Sequence, residues 1–165
     1  MAAAFAFLAP AATAHPAATP RIARLTSLTY QTRPVARVRR WRDARTRRWR
    51  DEPARLRAYA WALTQTGHPY QWGGTGPGYD CSGLVMMAYR HAGVDLPRTT
   101  TAMLSSPLLV RVVHPRMGDL AFYGAGHVEL FRRWGYTFGA HDEGMPVGLI
   151  HYGWGWVPTA FYRVR

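Results

Sequence analysis

One stretch decides the fold of this 165-residue chain: Trp72-Gly-Gly-Thr-Gly-Pro-Gly-Tyr-Asp-Cys-Ser-Gly-Leu-Val85. Its Gly-rich first half cannot be regular structure and predicts a shaped loop. The apolar residues after Asp80 predict a helix from about Cys81 to Ala92, which Gly93 ends. Asp80 occupies the position of an N-cap residue. The stretch therefore predicts that a cysteine lies at a helix N-terminus.

Cys81 is the only cysteine of the chain, so it can form neither an intrachain disulfide nor a multi-cysteine zinc site. A lone thiol is more often buried and inert than reactive. A helix N-terminus changes this balance, because its dipole and free amides stabilise a thiolate and can also hold an oxyanion. Cys81 is therefore a candidate nucleophile, provided that an imidazole lies nearby.

The chain has seven histidines from which a general base could come. His91 is excluded, because it lies ~15 Å along the same helix as Cys81. His127 starts a predicted strand and is the favoured base, although a histidine at a strand end is more often structural. His141 lies just beyond the next strand, which should pair with the strand of His127. It is the candidate for the third residue of the site, the one that holds the imidazole of the base.

The order of the predicted elements indicates an α+β domain, with N-terminal helices packed on an antiparallel sheet. A first helix begins near Pro53, with Leu56, Ala60 and Leu63 at helical spacing. The later sequence alternates in short strands. Their predicted ranges are 108–113, 119–123, 127–132, 136–140, 147–152 and 160–164.

The first 52 residues are expected to lie outside this domain. Residues 1–14 are predicted to be a signal peptide that ends at Ala12-Thr13-Ala14, although a positive n-region is missing and a disordered tail is the alternative. Residues 15–52 are predicted to be a flexible Arg-rich linker, and residues 53–165 a catalytic domain. These features predict a secreted or cell-wall-associated monomer.

The formal charge of +12 is concentrated in one segment. Residues 21–57 hold 13 of the 21 arginines against three acids, whereas residues 58–165 carry only +2. The basic segment is expected to be a solvated tether. The alternative is attachment to an anionic wall polymer or a membrane surface. Nucleic acid is not expected as a partner, because of the predicted export signal.

Several ordered sequence blocks resemble the NlpC/P60 family over about residues 56–165. This resemblance implies a papain-like α+β fold without a cofactor. It implies a cysteine peptidase that cuts peptidoglycan stem peptides, most often between the γ-carboxyl of D-glutamate and a diamino acid. An acyltransferase with the same site and a non-catalytic wall-binding module are the alternatives. The blocks are residues 70–74, 80–85, 96–99, 118–120 and 127–128.

The resemblance also implies roles for single residues. Cys81 takes the position of the nucleophile and His127 that of the general base. Tyr70 takes the position of a tyrosine near the oxyanion, while Asp80 and Ser82 occupy positions that help to bind the peptide.

The remaining candidate contacts each have a structural alternative. Asp80 could act only as the helix N-cap. Trp72, like Tyr70, could line the site or pack in the core. Arg98 could pair with a substrate carboxylate or form an ordinary surface ion pair.

The sequence departs from the family pattern at two positions. Gly139 stands where many relatives carry the third catalytic residue, and His141 follows two residues later, on the same face if the strand continues. Glu129 replaces a small residue, and is expected either to shape the groove or to be an exposed strand carboxylate. The cluster of residues 141–143 lacks the spacing of a helical zinc pair, so no metal is expected.

Overall fold

The computed structural model describes residues 46–47, 49–50, 52–153 and 155–165. The predicted signal peptide and most of the predicted linker therefore lie outside the described residues. In the described part, no helix combines the length and the apolar character that crossing a membrane requires. The domain has three main helices, α1 (Ala54–Leu63), α2 (Cys81–His91) and α3 (Thr100–Leu104).

Six strands follow the helices and form one antiparallel sheet in the order β1-β6-β2-β3-β4-β5. The predicted α+β class is confirmed, and the predicted strands are correct to within a residue or two at their ends. The strands are β1 (Leu109–Val112), β2 (Leu120–Tyr123), β3 (His127–Arg133), β4 (Tyr136–Gly139), β5 (Gly148–His151) and β6 (Ala160–Val164).

The strand β3 lies inside the sheet, between β2 and β4. Side chains alternate between the two faces of a strand. Val128 and Leu130 point into the hydrophobic core, so His127 and Glu129 share the opposite face. The alternation thus separates the apolar side of β3 from a polar pair at its start.

The helices α1 and α2 pack against each other, and α2 also packs on β3. The helix predicted here is present, but its buried side is not marked by Leu63, which is 46% exposed, while Ala58, Tyr59 and Ala62 are buried. The two alanines lie four residues apart and therefore on one side of the helix. Their small side chains let α2 approach closely, which decides the orientation of α1.

The first turn of α2 is pressed against the Gly-rich loop. A Cβ added to Gly83 would lie only 2.0 Å from the carbonyl oxygen of Gly74, so no larger residue fits without a shift of the backbone. The amide of Asp80 donates to the same carbonyl at 3.2 Å. This contact fixes where the helix starts and hence where Cys81 lies.

Candidate active site

Cys81 is the first residue of α2 and is buried, with 6% of its surface exposed. Asp80 is the N-cap residue, and its Oδ1 accepts a hydrogen bond from the amide of Gly83 at 2.6 Å. The amides of a first helical turn have no partner within the helix. The predicted position of the thiol at a helix N-terminus is therefore confirmed.

Asp80 is also the centre of an ion pair. Arg98 donates to Oδ1 at 3.0 Å and to Oδ2 at 2.5 Å, and its Nη1 also donates to the hydroxyl of Ser82 at 2.8 Å. The amide of Gly73 donates to Oδ2 at 2.9 Å. Three predicted substrate contacts thus bind one another, and Arg98 forms an ion pair that is only partly exposed.

His127 begins β3 and lies opposite Tyr123 of β2. Its ring is buried, and its Nε2 lies 3.1 Å from Oε1 of Glu129. With Nε2 bound in this way, Nδ1 is the ring nitrogen left to serve the thiol of Cys81. The neighbouring side chains therefore restrict both the orientation and the tautomer of this imidazole.

Glu129 is fully buried and accepts hydrogen bonds from four side chains. His127 and His141 meet Oε1, at 3.1 and 2.8 Å, while the hydroxyl of Tyr123 reaches Oε2 at 3.2 Å. The hydroxyl of Thr137 also donates to Oε2. A carboxylate has about four acceptor positions, so all are in use. The expected alternative of an exposed strand carboxylate is wrong.

His141 follows the end of β4, because the strand stops at Gly139, one residue before its predicted end. Its Nδ1 binds Oε1 of Glu129 at 2.8 Å. The two imidazole rings lie 5.5 Å apart between centroids, at a steep angle. His141 thus binds the carboxylate of Glu129, whereas it was expected to hold the imidazole of His127 directly.

The charges of this cluster support each other. Burial disfavours the charged form of His127, but hydrogen bonds and charge interactions with Cys81 and Glu129 outweigh it and raise the imidazole pKa to about 9. Burial likewise opposes ionisation of Glu129, yet the hydrogen bonds from His127, His141 and Thr137 lower its pKa to about 2. The favoured state is therefore an imidazolium beside a carboxylate.

Tyr70 lies near the thiol and lines a groove of about 230 Å³, together with Gly67, Pro69, Gly144, Met145 and Pro146. Burial and the nearby charges of Cys81 and Asp80 raise the pKa of its phenol. The hydroxyl is therefore held in the protonated, donating form. Trp72 is 82% exposed, so the core-packing alternative is wrong for this residue.

Two contributors to the site were not assigned to it by the sequence analysis. Glu129 was not recognised as the centre of the cluster, although a carboxylate two residues after a strand histidine shares its face. Trp156 stacks on Tyr123 at 4.9 Å and meets the rings of His127 and His141 edge-on. No local signal indicates Trp156, because it comes from a distant part of the chain.

The same cluster is the group that could hold a metal ion within the described residues. The ligand atoms of His127, Glu129 and His141 lie within 4.8 Å of one another. Both imidazoles are already bound to the carboxylate. Hydrogen bonding alone thus accounts for the arrangement.

An α+β fold that sets a cysteine at a helix N-terminus beside a buried histidine defines a thiol–imidazole site of the papain-like type. Residues 67–147 match the model of the NlpC/P60 family. The chain belongs to this family.

The relatives differ in what they are named for. The chain is 40% identical over 92 residues to a probable endopeptidase of Mycobacterium tuberculosis, which covers 54% of this chain and 24% of that protein. It is 36% identical over 93 residues to the bifunctional muramidase/DL-endopeptidase CwlT of Bacillus subtilis, which covers 51% and 28%. The chain thus spans about a quarter of these relatives.

The similarity to one solved structure covers almost the whole of that protein's chain. RipD of Mycobacterium tuberculosis, described as a non-catalytic NlpC/p60 domain protein adapted to peptidoglycan binding, is 30% identical with a TM-score of 0.55. The similarity covers 69% of this chain and 98% of that one. Membership of the family therefore includes both enzymes and binding proteins by name.

Proposed function

We propose that this chain is a cysteine endopeptidase that hydrolyses peptide bonds in peptidoglycan stem peptides. The observation that carries the proposal is the placement of Cys81 at the start of α2 beside a buried His127 whose Nε2 is held by Glu129. A protonated imidazole stabilises the thiolate and is ready to give a proton to a leaving group. A merely structural histidine would not need this arrangement.

The first half of the reaction forms an acyl-enzyme. The thiolate of Cys81 attacks the amide carbonyl carbon and forms a C–S bond. The amide of Cys81 and the phenol of Tyr70 are suited to stabilise the oxyanion. As the C–N bond breaks, the imidazolium of His127 gives its proton to the leaving amine.

The second half releases the product. Neutral His127 takes a proton from a water molecule, whose oxygen attacks the thioester carbonyl. The C–S bond breaks, the new carboxylate leaves, and the Cys81 thiolate and the imidazolium are restored. An added amine in place of water would give acyl transfer, which is the alternative reaction of the same site.

The proposed substrate rests on the names of the relatives. CwlT is named as a DL-endopeptidase and RipD as a peptidoglycan-binding protein. We propose the bond between the γ-carboxyl of D-glutamate and a diamino acid. The enzyme would act outside the cell or at the wall, with residues 15–52 as a tether that can contact an anionic wall polymer or membrane surface.

The test is digestion of purified muropeptides, with products read by mass spectrometry. Cys81→Ala is expected to abolish hydrolysis, because no other thiol exists in the chain. His127→Ala should lose activity by about 10³-fold or more. His114→Ala is the matched control, because His114 is exposed and, among the described residues, its hydrogen bond uses its backbone carbonyl.

Two results would overturn the proposal. Unchanged product formation by Cys81→Ala would remove the nucleophile. Binding of muropeptides by the wild type without any cleavage would instead favour a non-catalytic wall-binding protein.

A further inference from the structure

We propose that Glu129 is the positioning residue for His127, that the hydrogen bond of His141 helps to hold this carboxylate, and that residue 139 must be glycine to leave room for Glu129. The proposal rests on the proposed Cys81–His127 chemistry. It assigns a distinct task to each of three residues that the expected catalytic pattern does not explain.

Positions 129 and 139 lie opposite each other on the neighbouring strands β3 and β4. Leu130 of β3 pairs with Phe138 of β4, so the antiparallel register puts Glu129 directly opposite Gly139. Directly opposite side chains lie on the same face of a sheet. A carboxylate near the imidazole could therefore come from either strand.

The space above the two positions holds one side chain only. A Cβ at Gly139 would lie 2.7 Å from Cγ of Glu129, closer than such atoms approach, and 3.2 Å from its Cβ, which is a tight contact. Glu129 is fully buried and cannot swing into solvent. A side chain at position 139 and the present conformation of Glu129 are therefore incompatible.

The hydrogen bonds show what Glu129 does in that space. Its Oε1 meets both imidazoles, while Oε2 is fixed by Tyr123 and Thr137 from the neighbouring strands. The carboxylate is thus locked before it binds His127. The hydrogen bond of His141 goes to Oε1 and not to His127, so His141 supports the hydrogen bonding of His127 through Glu129, beside the edge-on contact of the two rings.

The first test compares two glycines that pair across β4 and β5. Gly139→Ala should push Glu129 from its place and lower kcat by about tenfold or more, with KM within about threefold. Gly148 lies opposite Gly139, and an added Cβ there meets only the carbonyl of Pro146 at 3.7 Å. Gly148→Ala is therefore the matched control and should keep wild-type kinetics.

The second test removes the charge of Glu129 and then restores it from the other strand. Glu129→Gln should lower kcat by about 10²-fold while KM changes little. Glu129→Gly should be at least as impaired. The exchange variant Glu129→Gly/Gly139→Glu is expected to recover at least about tenfold over Glu129→Gly, since its carboxylate reaches the same space from β4.

Two further readouts need no peptidoglycan substrate. The titratable groups that face His127 are Cys81, Tyr123, Glu129 and His141, and the ring of Trp156 also meets it. Loss of the Glu129 charge should lower the His127 pKa, followed by NMR, by about one unit or more. Alkylation of the single cysteine by iodoacetamide should slow by about tenfold near neutral pH, because the imidazolium is weakened.

The outcomes separate this proposal from the proposed function. If the wild type cleaves no muropeptide but Glu129→Gln shifts the His127 titration and slows alkylation, the endopeptidase proposal fails and the positioning role stands. If Glu129→Gln leaves both unchanged, or Gly139→Ala behaves like Gly148→Ala, the positioning role is overturned. Thermal unfolding identifies any Glu129 variant that does not fold. In that case the comparison of Gly139→Ala with Gly148→Ala tests the positioning role.

Discussion

Two buried carboxylates flank the site, and they are neutralised in different ways. Asp80 is bound by the guanidinium of Arg98 and caps the helix that carries Cys81. Glu129 is bound by two imidazoles and two hydroxyls, and holds His127. One carboxylate therefore lies beside Cys81, the proposed nucleophile, and the other beside His127, the proposed base.

The difference lies in the charge that each carboxylate meets. A guanidinium remains protonated throughout the physiological range, so the pair formed by Arg98 is permanent. The imidazole of His127, with its pKa raised to about 9, loses its proton as the pH rises through that value. The helix start at Cys81 is thus held by a constant interaction, while His127 is held by one that changes with its protonation.

The largest effect on stability is expected when Asp80 is removed. Asp80→Ala takes away the helix cap and leaves Arg98 unpaired, which should lower the free energy of unfolding by about 2 to 3 kcal/mol. This figure lies below that for fully buried pairs, because the Arg98 side chain is 34% exposed. Urea denaturation measures the change.

Asp95→Ala is the matched control for this experiment. Its carboxylate pairs with Arg90 at 3.4 Å, but the two side chains are 86% and 56% exposed. Such a surface pair contributes less than about 1 kcal/mol. If Asp80→Ala lowered the free energy of unfolding no more than Asp95→Ala does, the Asp80–Arg98 pair would not be what stabilises the start of α2.

A smaller effect should appear in the pH dependence of stability. Folding raises the His127 pKa from 6.5 to about 9 through the interactions of the imidazolium with Cys81 and Glu129. These interactions therefore stabilise the fold fully below pH 6.5, and the stabilisation is lost as the pH rises through 9. The destabilisation by Glu129→Gln should therefore shrink between these pH values.

Arg98→Ala provides the contrast, because its destabilisation should stay constant over the same interval. Equal pH dependence in the two variants, measured by urea denaturation, would erase the distinction between the carboxylates. On the acid side, folding lowers the Glu129 pKa from 4.5 to about 2, so its contribution disappears as the pH falls through that range.

The smallest effect is expected at Ser82. Its hydroxyl accepts from Arg98 at 2.8 Å and donates to Asp80 at 3.3 Å. Ser82→Ala should lower the free energy of unfolding by about 1 kcal/mol, since the main Arg98–Asp80 pair remains. A loss as large as that of Asp80→Ala would show that the hydroxyl, and not the ion pair, organises the helix start.

The parts of the site that local sequence encodes could be predicted. The Gly-rich loop, the cap at Asp80 and the helix start at Cys81 follow one another within a dozen residues. The strand that begins at His127 is equally local. Each of these predictions depends on propensities and spacing, which a short segment contains in full.

The parts of the site that depend on strand register could not be predicted from the sequence. Whether His141 or Glu129 meets His127 depends on where β4 ends and on which residue of β4 faces position 129. The face of α1 was missed for a similar reason, because the packing of α2 against Ala58 and Ala62 outweighs the helical spacing of Leu63.

The sequence by itself determined the α+β order, the nucleophile candidate and its helix cap, since these arise from residues close together in the chain. Tertiary structure alone decided that Arg98 closes on Asp80 and that Glu129 fills the space above Gly139. The physical reason is that a buried charge is stable only with partners in place, and those partners come from other strands and loops.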